Sequence, residues 1–260
     1  MLKIRILSSV VGIPILIGLL YAGGLYWTGL FTLLALVAVF EYLHMLRHID
    51  LHPLILPALA ATLILVFASH LSPYLNILFL LVLILTIAQA VMAYPRFLLA
   101  DVAFSLFGSL YIGFLMGFAL RIGDLRDSFP IMILCLLITW GSDTGGYAFG
   151  SIFGRHKMTP NLSPKKTWEG AIGALFLSAL VALVFSLVFK GRVPTAYILL
   201  LGLGGSIMAQ LGDLFESGIK RYTGVKDSSQ LIPGHGGVLD RIDSFLLVLP
   251  LVYMFFSYVG

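Results

Sequence analysis

The chain has 260 residues, of which 60% are hydrophobic and only 11% charged, with a formal net charge of +4 and a mean hydropathy of +1.04. Those values exclude an ordinary soluble domain and a strongly basic nucleic-acid binder, and the lone Cys135 excludes an internal disulfide framework. Leu7–Phe40, Leu51–Pro95, Gly170–Phe189, Val193–Gly212 and Ser244–Gly260 contain no Asp, Glu, Lys or Arg. A run of ~20 apolar residues crosses a bilayer, so the chain reads as an all-α, polytopic integral membrane protein.

Turn signals predict nine spans, at roughly 6–22, 26–46, 54–70, 74–94, 98–121, 129–150, 168–189, 195–218 and 241–259. The start, with Lys3 and Arg5 before an apolar run, imitates a signal peptide but reads as the first helix of the bundle. With the N-terminus cytoplasmic, alternation leaves only Arg121, Arg126, Lys190 and Arg192 outside; the other twelve of the 16 basic residues lie inside. That asymmetry supports the orientation and the odd count. The expected organisation is one membrane domain over 1–260, with a hydrophobic helical scaffold at 1–125 and a catalytic half at 126–260. Small-residue spacings at Gly113/Gly117, Gly141/Gly145, Gly146/Gly150 and Gly202/Ser206 predict close helix packing in lipid. His44, His48, His52 and His70 are scattered and read as interface or packing residues.

The second half carries three polar clusters. The first, Gly141-Ser142-Asp143-Thr144-Gly145-Gly146, puts an ionisable group inside the sixth span; Asp143 is a functional candidate, with a structural ion pair as the plainer alternative. In the second, Ser163-Pro164-Lys165-Lys166-Thr167-Trp168-Glu169-Gly170, Ser-Pro predicts an N-cap and first turn. Two lysines there oppose the helix dipole unless an anion is bound, which suggests a phosphate site at Ser163, Lys165 and Lys166. Positive-inside anchoring is the alternative, and Glu169 either pairs with a lysine or caps the helix.

The third cluster runs from Gly212-Asp213-Leu214-Phe215-Glu216 through Ser217 to Asp243. Asp213, Glu216, Ser217 and Lys220 fall on one helix face, and Asp240 and Asp243 share another. A hairpin connection is expected to bring Asp213 near Asp240 and Asp243, giving acids that hold Mg²⁺, with a second cation as an option. Lys220, Arg221 and Lys226 supply positive charge, while Gly234, Gly236 and Gly237 permit close backbone approach. His235, among those glycines, suits a phosphate contact or a metal-shell role. The ensemble is a parts list for phosphoryl chemistry. It contains no GxxxxGK[ST] loop, no defensible Ser-His-Asp order and no Cys-based metal site.

The third cluster resembles the signature of the phosphatidate cytidylyltransferases: Ser217, Lys220, Arg221, Lys226, Asp227, Ser229, Ile232, Pro233, His235, Gly236, Gly237, Asp240, Arg241 and Asp243 meet that pattern without a gap. The Ser163–Gly170 and Asp143–Gly146 blocks are also similar to family segments. The resemblance implies a multi-helix fold with a cytoplasm-facing polar cavity, often dimeric. It implies transfer of a cytidylyl group from CTP to phosphatidate, with Asp213 and Asp240 at the metal centre. The roles then expected are Asp213, Asp240 and Asp243 as metal ligands, with Lys226 as a fourth catalytic group. Asp143, Ser163, Lys165, Lys166, Lys220, Arg221, Asp227, His235, Gly236, Gly237 and Arg241 contact substrate. Partners would be CTP, phosphatidate, the bilayer and a second copy, without nucleic acid, in a bacterial inner membrane. A cation-coupled transporter, a polyprenol kinase and a CDP-alcohol phosphotransferase are the rival readings. The last lacks its Asp-x-x-Asp-Gly-x-x-Ala-Arg run here.

Overall fold

The computed structural model describes residues 2–95, 99–189, 193–234 and 236–259. Their helices are α1 (Leu2–Ala22), α2 (Gly24–Leu46), α3 (Ile55–Val66), α4 (Leu75–Ala93), α5 (Leu99–Gly108), α6 (Leu115–Gly123), α7 (Ser128–Phe153), α8 (Trp168–Val188), α9 (Thr195–Thr223) and α10 (Leu239–Val259). A π-helical turn, Ser109–Phe114, joins α5 to α6. Among the described residues, seven helical stretches are long and apolar enough to span a membrane; Val10–Ala22 and Ile55–Val66 are shorter apolar helices. This is an all-α polytopic membrane protein, and its helices fall where the uncharged runs and turn signals place them. Helices dominate because lipid offers no partners for backbone N–H and C=O groups.

The exception is a small hairpin, β1 (Lys157–Thr159) and β2 (Ser163–Thr167), antiparallel with Thr159 opposite Ser163 and Lys157 opposite Thr167. It corrects the expectation that Ser163 caps a helix with Lys165 and Lys166 in its first turn. The Leu162 amide donates to the Thr159 carbonyl (3.2 Å) to close the turn, and the Trp168 amide donates to the His156 carbonyl (3.0 Å). Pairing thus occupies backbone groups that a helix start would leave orphaned. Thr167 caps α8 instead, its Oγ1 accepting from the Gly170 amide at 3.1 Å.

The chain divides into two compact units: Met1–Gly123 with Lys220–Arg241, and Asp124–Ile219 with Ile242–Gly260. In the first, α2 buries Trp27, Phe31, Ala35, Ala38, Val39 and Tyr42, and Trp27 Nε1 donates to the Ala119 carbonyl at 2.9 Å. Gly113 and Gly117 lie against the backbone of α3; a Cβ on Gly117 would sit 2.8 Å from the Leu65 carbonyl oxygen. In the second, Gly145 and Gly173 bring α7 and α8 together, Gly202 abuts α8, and Ser206 bonds to the Ser142 hydroxyl at 2.9 Å. These are the close packings that the small-residue spacings predict.

Candidate active site

In the first unit, the third cluster begins where α9 ends. Gly224 adopts φ +73°; its amide donates to the Arg221 carbonyl (3.3 Å) and the Val225 amide to the Lys220 carbonyl (3.0 Å). That paired pattern terminates a helix on a left-handed glycine. It leaves Lys220 and Arg221 in the last turn, where cations complement the dipole. Lys220 Nζ stands 2.8 Å from Asp240 Oδ1. Asp240 Oδ2 accepts from the Ser228 amide (2.8 Å), the Ser228 hydroxyl (2.9 Å) and the Gly237 amide (2.8 Å). Three of these contacts crowd Oδ2, where the Ser228 hydroxyl also reaches Glu41, and Lys220 engages Oδ1. Gly236, at φ +87°, has its hypothetical Cβ 2.8 Å from Asp240 Oδ2, so only glycine fits there.

Behind this loop lies a residue that the sequence reading missed. Glu41, on α2 and 4% exposed, accepts from the hydroxyls of Ser228 (3.0 Å) and Ser229 (2.6 Å) and from the amides of Val238 (3.0 Å) and Leu239 (2.8 Å). Its only sequence signal was an acid at the edge of an uncharged run. His44, one turn further along α2, and His48, in the 3-10 turn Arg47–Ile49 that follows it, line a cavity of about 510 Å³ with Lys226, Asp227, Ser228 and Ser229. His44 stacks on Phe40 and meets His48 edge-on, as packing residues do, and both also border the signature loop. Lys226, Asp227, Arg221 and Arg241 are exposed; His235 lies outside the described residues.

In the second unit, Lys166 Nζ is 2.7 Å from Asp213 Oδ2, with the side chains 22% and 36% exposed. The pair is held by charge rather than by a well-directed hydrogen bond. Lys165 points to the other face of the strand and is exposed, as strand alternation requires. Ser163 is half-buried on the same strand. Ser217, one turn beyond Asp213 on α9, donates to Asp213 Oδ1 at 3.4 Å. Glu169, in the first turn of α8, accepts from its own amide and from the amides of Arg155 (3.1 Å) and His156 (3.2 Å), and it bonds to His156 Nδ1 at 2.6 Å rather than to a lysine.

Three helices of this unit meet at its acids. A Cβ on Gly212 would overlap the Asp243 carbonyl, so α9 and α10 touch backbone to backbone beside Asp213 and Asp243. Asp243 Oδ1 accepts from the Ser244 amide (2.6 Å), and Asp143 Oδ1 accepts from the Ser244 hydroxyl (3.3 Å). Hard carboxylate oxygens from α7, α9 and α10, without thiolate or imidazole, form a donor set chemically suited to Mg²⁺. Among the described residues, no three acids or histidines yet close round one point. Asp213 has coordination capacity to spare, whereas Asp240 is already engaged by Lys220, Ser228 and Gly237.

The helices and these residues define a polytopic membrane protein with paired lysines and carboxylates in its polar clusters. The cytidylyltransferase family model matches residues 3–259, and the chain belongs to that family. It is 37% identical over 258 residues to a phosphatidate cytidylyltransferase of Staphylococcus aureus (strain COL), covering 96% of this chain and 97% of that one. Proteins of the same description from Staphylococcus epidermidis (strain ATCC 12228) and Staphylococcus saprophyticus are each 36% identical over 257 residues, with the same coverage of both chains.

Proposed function

We propose that this chain transfers the cytidylyl group of CTP to phosphatidate, forming CDP-diacylglycerol and pyrophosphate in a bacterial membrane. The observation that carries this reading is the Lys220–Asp240 pair inside the uninterrupted signature Ser217–Asp243. Family membership and the names of the Staphylococcus relatives support it.

A phosphate monoester loses its second proton at a pKa of ~6, so the phosphatidate oxygen is largely ionised at neutral pH and needs no strong general base. That oxygen forms a new bond to the α-phosphorus of CTP as the bond to the bridging oxygen breaks, and pyrophosphate leaves. The main obstacle is repulsion between two polyanions. Lys165, Lys166, Lys220, Arg221 and Lys226 neutralise phosphate charge, with Ser163, His235, Arg241 and the Gly236 and Gly237 amides as further contacts. Asp143 and Asp227 orient these groups. Magnesium would neutralise charge on the α-phosphate and the leaving group. Asp213 and Asp243 would hold it, and Asp240 is the third carboxylate of the proposed set. In this reading residues 126–260 carry the reacting groups and 1–125 support them.

The basic residues at one set of helix ends support a cytoplasmic N-terminus and active site. A homodimer belongs to the same proposal: the apolar window of α4 is only 17% buried and offers a face for it. Cross-linking in native membranes that yields only monomer overturns the dimer.

The deciding assay combines purified protein with α-³²P CTP and phosphatidate, with and without Mg²⁺ and EDTA. Label entering lipid only with phosphatidate and free metal is the expected result. Folded protein that labels no lipid overturns the reading.

A further inference from the structure

We propose that Glu41 is a positioning residue for cytidylyl transfer, holding the signature loop and the start of α10 so that Asp240 and Lys220 face the reaction. The inference rests on the assignment of that loop to the active site. Glu41 touches none of the groups assigned to substrate through charge, and it lies outside the motif that defines the family signature. Its carboxylate is nevertheless buried on an otherwise apolar helix, where an ionisable group is costly and calls for a function.

Its four partners show what that function is. Ser228 and Ser229 belong to the loop, Leu239 supplies the first amide of α10, and Val238 immediately precedes it. The carboxylate therefore does for α10 what a bound anion does for other helix N-termini. The link from Glu41 to Asp240 runs through Ser228. The Ser228 hydroxyl lies 3.0 Å from Glu41 Oε2 and 2.9 Å from Asp240 Oδ2. One hydroxyl proton serves two carboxylates, so the orientation of Ser228 depends on both. Gly237 seals the arrangement: a Cβ there would lie 2.5 Å from Glu41 Oε2 and overlap the Ser228 hydroxyl. Moving Glu41 thus moves the Ser228 amide and hydroxyl, two of the four donors to Asp240.

Glu41→Gln keeps the shape but replaces one acceptor oxygen with an NH₂ group that faces donors. In the full-length protein in nanodiscs, kcat is expected to fall about 100-fold, the loss typical of a misplacement of ~1 Å. Hydrogen exchange is expected to rise over residues 225–241 and stay unchanged in α3 to α8. Wild-type kcat overturns the proposal. A loss of protection spread over the whole chain, with activity falling only in proportion to the folded fraction, overturns it as well. Should Glu41→Gln not accumulate, Glu41→Asp decides. It keeps the charge but withdraws it by one methylene, so wild-type kcat in that variant counts against the proposal and about a tenfold fall supports it. Asp240→Asn, assayed alongside, separates the two levels. If Asp240→Asn is active, the loop is not the site. If it is inactive while Glu41→Gln turns over normally, only the role of Glu41 fails.

Discussion

Lys220 Nζ lies 2.8 Å from Asp240 Oδ1 and thereby ties the last turn of α9 to the first turn of α10. The two side chains are 17% and 5% exposed, so each charge is largely desolvated and depends on the other. The same carboxylate accepts two loop amides and a hydroxyl. Asp240 is therefore a structural organiser of the signature loop as well as a proposed participant in the reaction.

Asp240→Asn removes the charge 2.8 Å from Lys220 Nζ and turns an acceptor into a donor. Turnover is expected to fall at least ~100-fold, and stability by about 3 kcal/mol, the cost of breaking a buried pair. Adding Lys220→Met should recover part of the stability and none of the activity. Thermal unfolding in detergent and the lipid-labelling assay measure the two effects. Unchanged turnover in Asp240→Asn removes Asp240 from the reaction.

The Lys166–Asp213 pair is more exposed, and water screens it. Asp213→Asn is expected to change stability by less than about 1 kcal/mol. If Asp213 holds the metal, activity at fixed magnesium falls sharply and half-maximal activation shifts to at least about tenfold higher magnesium. A magnesium titration of the variant decides, and an unshifted curve assigns Asp213 to lysine placement alone.

Two glycines separate steric from conformational need. Gly212→Ala drives a methyl group into the Asp243 carbonyl and should cost about 1–3 kcal/mol by overpacking, with activity reduced because both acids shift. Gly224→Ala meets nothing within 4 Å, but its φ is +73°. Its cost of about 1–2 kcal/mol is that of a left-handed alanine, and Gly224→Asn should be milder. Equal effects of Ala and Asn at 224 would contradict the conformational account.

Thr167→Ala removes the cap of α8 and should cost about 1 kcal/mol, while Thr167→Ser retains it. Chemical denaturation of the two variants makes the comparison; equal stability would mean that the 3.1 Å contact with Gly170 contributes nothing.

Much of the architecture was legible because the physics behind it is local. An uncharged run longer than a bilayer is thick favours a helix, so among the described residues seven of the nine predicted spans meet helices long enough to cross, while 6–22 and 54–70 meet the shorter Val10–Ala22 and Ile55–Val66. Gly113, Gly117 and Gly145 declared close packing by their spacing alone. The motif Ser217–Asp243 was likewise contiguous, and that made the chemistry readable without a fold. Tertiary structure decided three other things. Ser163 and Thr167 are both acceptable caps, and only strand pairing with Lys157–Thr159 settles that the helix starts at the second and that Lys166, not Lys165, meets Asp213. His44 and His48 look like scattered packing residues until the signature loop folds beside them. Glu41 meets its partners across 187 to 198 positions. No periodicity encodes contacts at that separation; they exist because the fold carries a buried carboxylate to the free amides at the start of α10, where each satisfies the other.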